Sequence, residues 1–231
     1  MTLRSLAPGL HVVDHPLVVG GLHLGTRTTV LELAPGRLAL VAPGPLSDAD
    51  VGEIRGLGEV EAIIAPNSLH HLFIPAARAA FPAAKLHATA SFAERLPALT
   101  VDHTLGGAAF AGALDQLAIG GAAKVAEVVF VHRASRTLIA TDLAFNVRGP
   151  KPFFTRAVMK LNDGWERFGP TRLFATTVKD TAALKASVAQ LLDLDFDRVI
   201  VAHGEVLDSG GKAALREGVE RRFGSLESRA A

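Results

Sequence analysis

Apolar positions along this chain recur with two periods, and the switch from one to the other predicts the elements. The runs LHVVDHPLVV (10–19), RTTVLEL (27–33) and RLALVA (37–42) read as strands parted by Gly and Pro turn signals, so hairpins are expected there. SDADVGEIRGLG (47–58) offers Ser47 or Asp48 as an N-cap, acids in the first turn and a Gly-rich stop, which together predict a short helix. VEAIIA (60–65), a helix within 74–81, KLHA (85–88) and the helical SFAERL (91–96) then alternate as βαβ units do. Strands return at 114–119, 126–132 and 137–141, the last two joined by the turn RASR. KPFFTRAVMKLNDGWERFG (151–169) reads as mostly helical, and 180–195 carries apolar residues at helical spacing. DRVIVAHG (197–204) supplies a final strand before the charged surface helix GGKAALREGVERRF (210–223). No repeat, low-complexity tract or linker divides residues 1–231, so the expectation is one α/β (α+β) domain, strand-rich and helix-bearing halves layered as αββα.

Composition narrows the function classes. A chain of 231 residues is long enough to bury roughly 70% of the surface its unfolded form exposes. With 49% apolar and 20% charged residues it belongs with globular proteins. The formal charge is +1 and no Lys/Arg run is interleaved with aromatics, which argues against a nucleic-acid partner. The opening MTLRSLAPGLHVVDHP meets Pro8, Asp14, His15 and Pro16 before a signal-like apolar core is complete, and no run of 18 apolar residues follows. A soluble, cytoplasmic protein without a membrane partner is expected. The absence of cysteine removes disulfides, thiolate nucleophiles and Cys-ligated metals. Any metal must sit on His, Asp, Glu or Asn.

Three apolar strand runs end on such residues. EAIIA runs into Pro66, Asn67, Ser68, Leu69, His70 and His71; TLIAT into Asp142; RVIVA into His203 and Gly204. Loops at the carboxyl ends of strands converge while the strands hold them rigid, and sites of open α/β sheets collect there. Three imidazoles and one carboxylate suit zinc, manganese or iron without sulfur. Taken singly, each of these residues is also an ordinary turn residue bonded to backbone; the coincidence of three strand ends raises the metal reading. Adjacent residues of an extended strand face opposite ways, but the turn favoured by Pro66 and Asn67 lets both His70 and His71 aim into one cavity.

GTRTTVLEL (25–33), IIAPNSLHHLF (63–73), EVVFVHRASRTLIATDLAFN (127–146) and VIVAHGE (199–205) occur in an order that resembles the metallo-β-lactamase-like hydrolase superfamily, and more closely a poorly characterised branch of it. The resemblance spans nearly the whole chain. It implies a four-layer αββα sandwich with one or two metal ions activating water between the sheets. The chain departs from the superfamily signature T-H-x-H-x-D-H: Asn67 stands at the first His, His70 at the Asp and His71 at the last His, and IGGAAKV (119–125) offers alanines where another His ligand belongs. The resemblance therefore implies one lost metal site and one retained site at His70, His71, Asp142 and His203. One divalent ion is expected, zinc favoured, with iron or manganese as alternatives.

The function expected is hydrolysis of an ester, amide, thioester or phosphoester in a small molecule. A catalytically inactive ligand- or partner-binding relative and an iron-dependent oxidoreductase are the rivals, and a homodimer is compatible with the sequence. His70 and Asp142 are the candidate catalytic groups, with His70 either ligand or base. Asn67 is a possible additional ligand, as is Glu127, which otherwise accepts from an imidazole N–H or faces water from a strand edge. His15, His23 and His103 read as surface loop residues, and His87 and His132 as solvent-facing strand residues. Arg27 reads either as an anion contact or as a structural salt bridge. Phe153, Phe154, Met159, Trp165 and Phe168 are expected on a core-facing helix, with a wall of the site or a dimer patch as the other uses.

Overall fold

The computed structural model describes residues 3–106 and 110–226. The chain begins with β1 (Arg4–Ala7), β2 (Leu10–His15), a small hairpin of β3 (Val18–Val19) and β4 (Leu22–His23), then β5 (Thr26–Ala34) and β6 (Arg37–Val41). Helix α1 (Asp48–Leu57), β7 (Glu59–Ala65), α2 (Ile74–Ala80), β8 (Lys85–Ala88), α3 (Ala90–Arg95) and β9 (His103–Thr104) follow. The remainder is β10 (Leu114–Ala118), β11 (Val128–His132), β12 (Thr137–Ile139), α4 (Phe153–Leu161), α5 (Arg172–Thr177), α6 (Thr181–Asp193), β13 (Arg198–Ile200) and α7 (Gly211–Phe223).

A seven-stranded sheet runs β1-β2-β5-β6-β7-β8-β9 and a four-stranded sheet β10-β11-β12-β13. The pairs from β6 to β9 are parallel, as the βαβ reading requires, and so is β12 with β13. Alternation along the strands sorts the side chains. Leu31, Val41, Ile64 and Val12 of the large sheet meet Val128, Phe130, Ile139 and Ile200 of the small one, forming the core between the sheets. Their strand neighbours Val30, Leu40 and Ile63 pack outward against Ile54, Ile74 and Phe92 of α1, α2 and α3. On the other side Val129, Val131 and Val199 pack outward against Leu184, Val188 and Leu215 of α6 and α7. Adjacent residues of one strand thus serve different cores, which is the consequence of a period of two and yields the layers α, β, β, α.

Local chemistry set many of the boundaries. Ser47 caps α1 in a capping box, accepting from the Asp50 N–H while its own N–H donates to the Asp50 carboxylate. The run 10–19 is not one strand: β2 ends at His15 before Pro16, and Val18–Val19 turn into the separate hairpin. The helix expected over 151–169 is confined to Phe153–Leu161. It stops where Gly164 closes on the Met159 and Thr171 side chains; a Cβ there would lie 2.7 Å from Met159 Cε. That helix is not simply core-facing: Met159 is buried, whereas Phe153 and Phe154 are exposed.

Three histidines read as surface residues are buried. His15 bonds Thr28 Oγ1 through Nε2 at 2.8 Å, His132 bonds Ser135 Oγ through Nδ1 at 2.7 Å, and His87 packs at a tilt against the rings of His103 and Phe110. Each belongs to a strand whose face is covered by distant chain. His23 and His103 are exposed, as expected. Among the described residues no helix is long and apolar enough to cross a membrane.

Candidate metal centre

The carboxyl ends of β7, β12 and β13 bring His70, Asp142 and His203 together. One donor atom from each lies within 4.8 Å of the others, forming a group able to hold a metal ion. His70 Nε2 is 3.2 Å from Asp142 Oδ2, and His203 Nε2 is 4.0 Å from Asp142 Oδ1; all three side chains are about nine-tenths buried.

Each member is held by a partner of its own. His203 Nδ1 lies 2.7 Å from the Gly25 carbonyl, which only accepts, so Nδ1 carries the proton and Nε2 presents its lone pair to the Asp142 carboxylate. Asn67, fully buried, donates through Nδ2 to Asp142 Oδ2 at 2.6 Å and to Thr141 Oγ1 at 2.9 Å. Its Oδ1 accepts the N–H groups of Leu69 and His70 at 2.8 and 3.0 Å, folding the turn that points His70 inward. Both ends of the Asn67 amide are spent on positioning.

Glu127, which immediately precedes β11, is buried beneath Asp142 and does not face water. Its Oε1 accepts the Thr141 N–H and hydroxyl at 2.6 and 2.9 Å; its Oε2 accepts the N–H groups of Asp142 and Leu143 at 3.0 and 2.7 Å. The carboxylate therefore pins three consecutive residues at the end of β12 and bonds no imidazole.

Arg27 performs the same service for His203. Its guanidinium donates to the carbonyls of Val201 and Gly204 at 2.6 and 2.8 Å and meets the Asp14 carboxylate at 2.6 Å. Gly204, at φ +101°, makes the turn after His203; a Cβ there would sit 2.1 Å from the Asn146 carbonyl oxygen.

His71, expected as a fourth ligand, is not one of the three grouped donors. Its Nδ1 lies 3.0 Å from the Ser68 carbonyl, so Nδ1 donates and Nε2 is left unprotonated in the neutral ring. The side chain lines the same cavity without joining the three donors. The segment 119–125, where the resemblance leaves alanines, packs on the turn through backbone: the Ser68 N–H and hydroxyl donate to the carbonyls of Val125 and Lys124.

Electrostatics follow from burial and these contacts. Burial disfavours ionised Asp142, but His70, by charge and hydrogen bond, then His203 and Asn67 hold its carboxyl well below the usual range. Burial also opposes a charged His70, yet the Asp142 carboxylate and the Glu127 charge raise its pKa above the ordinary histidine value. Burial lowers His203 against the pull of Asp142. For Glu127 burial and the Asp142 charge push the pKa upward, against the donors of Thr141.

The donors line a cavity of about 390 Å³. Its walls come from β4 and its flanks (Leu22, Leu24), the turn after β7 (Leu72, Phe73), and α4 and α5 (Met159, Leu173). These walls were the least legible part of the site; the signal was the apolar surplus of VVGGLHLG and KPFFTRAVMKL.

No protein-family model matches the sequence and no curated protein matches it. Solved structures do match. DIM-1 metallo-β-lactamase aligns with a TM-score of 0.66 over 95% of this chain and 97% of that one, at 16% identity. The metallo-β-lactamase from Pontibacter korlensis aligns at 0.65 over 95% and 98%, at 11% identity. FIM-1 from Pseudomonas aeruginosa, a metallo-β-lactamase in its mono-zinc form, aligns at 0.63 over 95% of each chain, at 12% identity. At such identities the likeness concerns architecture, and this chain has the metallo-β-lactamase fold.

Proposed function

We propose that this chain is a metal-dependent hydrolase of a small ester, amide, thioester or phosphoester, holding one divalent ion, zinc foremost, between His70, Asp142 and His203. The observation that carries this reading is the His203–Asp142 pair. An imidazole lone pair and a carboxylate oxygen, on side chains about nine-tenths buried, face one another across 4.0 Å and offer two donor atoms to a cation. Two imidazoles and one carboxylate are a donor set that would suit zinc. A divalent ion held there supplies an acidified water and a Lewis-acidic centre for a carbonyl or phosphoryl oxygen.

The remaining steps belong to the protein. Asn67 and Glu127 fix Asp142, and the Gly25 carbonyl fixes the His203 tautomer, so the donors are ordered before any ligand arrives. His71, with Nδ1 tied to Ser68 and Nε2 free to accept, is the group we assign to proton transfer. The apolar walls exclude water from the reacting group.

Metal analysis of purified protein, followed by an ester and phosphoester screen on wild type, His203→Ala and His71→Ala, tests the reading. Zinc retained by wild type and His71→Ala but lost from His203→Ala, with hydrolysis reduced in both variants, is the expected result. Hydrolysis unchanged in both variants rejects it.

A further inference from the structure

The lining of this cavity has an unusual charge balance. Asp142 is its only acid, and no Lys or Arg lines it among the described residues. In the metal-free protein a free carboxylate or phosphate group would meet the Asp142 charge there with no lysine or arginine in the wall to receive it. The mouth is apolar as well. Val19, Leu69, Leu72 and Leu173 line the cavity and are 53%, 45%, 63% and 67% exposed. None of the exposed large apolar side chains lines any other described cavity. Exposed apolar surface continuous with a site marks where a ligand lies.

We infer that the site takes an uncharged carboxylic ester or amide with an apolar chain, its carbonyl at the His70–Asp142–His203 end and its chain running out over Leu72 and Leu173. This rests on the hydrolase reading for the carbonyl and on the cavity alone for the chain.

The chain has two methionines, and Met159 lies in the cavity wall, so protein labelled with ¹³C at the methionine methyl groups carries a direct reporter. Butanamide, octanamide and octanoate are titrated while the Met159 methyl signal is followed. Butanamide and octanamide are run on protein with and without zinc; octanoate is run on metal-free protein, so that its carboxylate meets the wall and not the ion. Octanamide is expected to bind at least about tenfold tighter than butanamide, since four more methylenes leave water. It should also bind at least about tenfold tighter than octanoate. Leu173→Lys and Leu72→Lys, both at exposed positions, should each weaken octanamide about tenfold. Leu57→Lys, on α1 and lining no described cavity, should not. Equal affinity across chain lengths, tighter octanoate, or indifference to both rim substitutions overturns the inference. So does a Met159 shift that needs phosphatidylcholine vesicles and is absent with dissolved octanamide, which would make the rim a membrane-docking face. Chain-dependent binding in protein that neither holds zinc nor hydrolyses esters would remove the hydrolase reading and leave the apolar-chain site standing. Zinc-dependent hydrolysis with no chain dependence would do the reverse.

Discussion

His203 Nε2 and Asp142 Oδ1 face each other across 4.0 Å, with the His203 proton fixed on the far nitrogen by the Gly25 carbonyl. Both atoms present a lone pair to a cation placed between them. Zinc is therefore expected to raise the melting temperature of the wild type. At free zinc about 100-fold above Kd the gain is about 2.7 kcal/mol. His203→Ala and Asp142→Asn should show no such rise in the same calorimetric titration.

Glu127 offers a sharper test of positioning. Both of its oxygens accept from N–H donors of residues 141–143, so the amide of Glu127→Gln must turn its NH2 toward donors whichever way it is placed. The substitution keeps the shape and should cost about 2–3 kcal/mol in urea unfolding. It should also weaken zinc about 10- to 100-fold by loosening Asp142.

Arg27 acts at the other ligand. Arg27→Met leaves the carbonyls of Val201 and Gly204 unpaired on both sides of His203, with an expected loss of about 2–4 kcal/mol in urea unfolding. Arg27→Lys should recover part of the stability and little of the zinc affinity, because an ammonium lacks the fork that reaches both carbonyls.

The pH dependence of stability should report His87, which lines a different cleft from the metal centre. Burial, then the charge of His103, lower its pKa from 6.5 to about 4, against the pull of Asp102. Lys85, Glu61 and Arg37 line the same cleft. In the folded chain His87 stays neutral where the unfolded chain takes up a proton. Its contribution is therefore complete above about pH 6.5, declines as pH falls toward about 4, and levels off below that. Thermal unfolding of wild type should lose more on acidification across this window than His87→Gln; parallel pH curves would assign the loss to other groups.

Sequence pattern by itself determined most elements, because a strand or helix is written in the spacing of near neighbours. The capping box at Ser47, the βαβ alternation from β6 to β9, and the placing of His70, Asp142 and His203 at strand ends all follow from local spacing. Tertiary structure decided what each polar residue does there. His70 and His71 are adjacent in sequence, yet Asn67 Oδ1 bends the turn so that one joins the ligand group and the other bonds Ser68. Glu127 and Arg27 gained their roles from partners 14 to 16 and 174 to 177 residues away, and His15, His87 and His132 were buried by strands and loops distant in the chain. The physical reason is range: periodicity records which face a side chain takes, whereas burial and hydrogen-bond partners depend on which other segment covers that face.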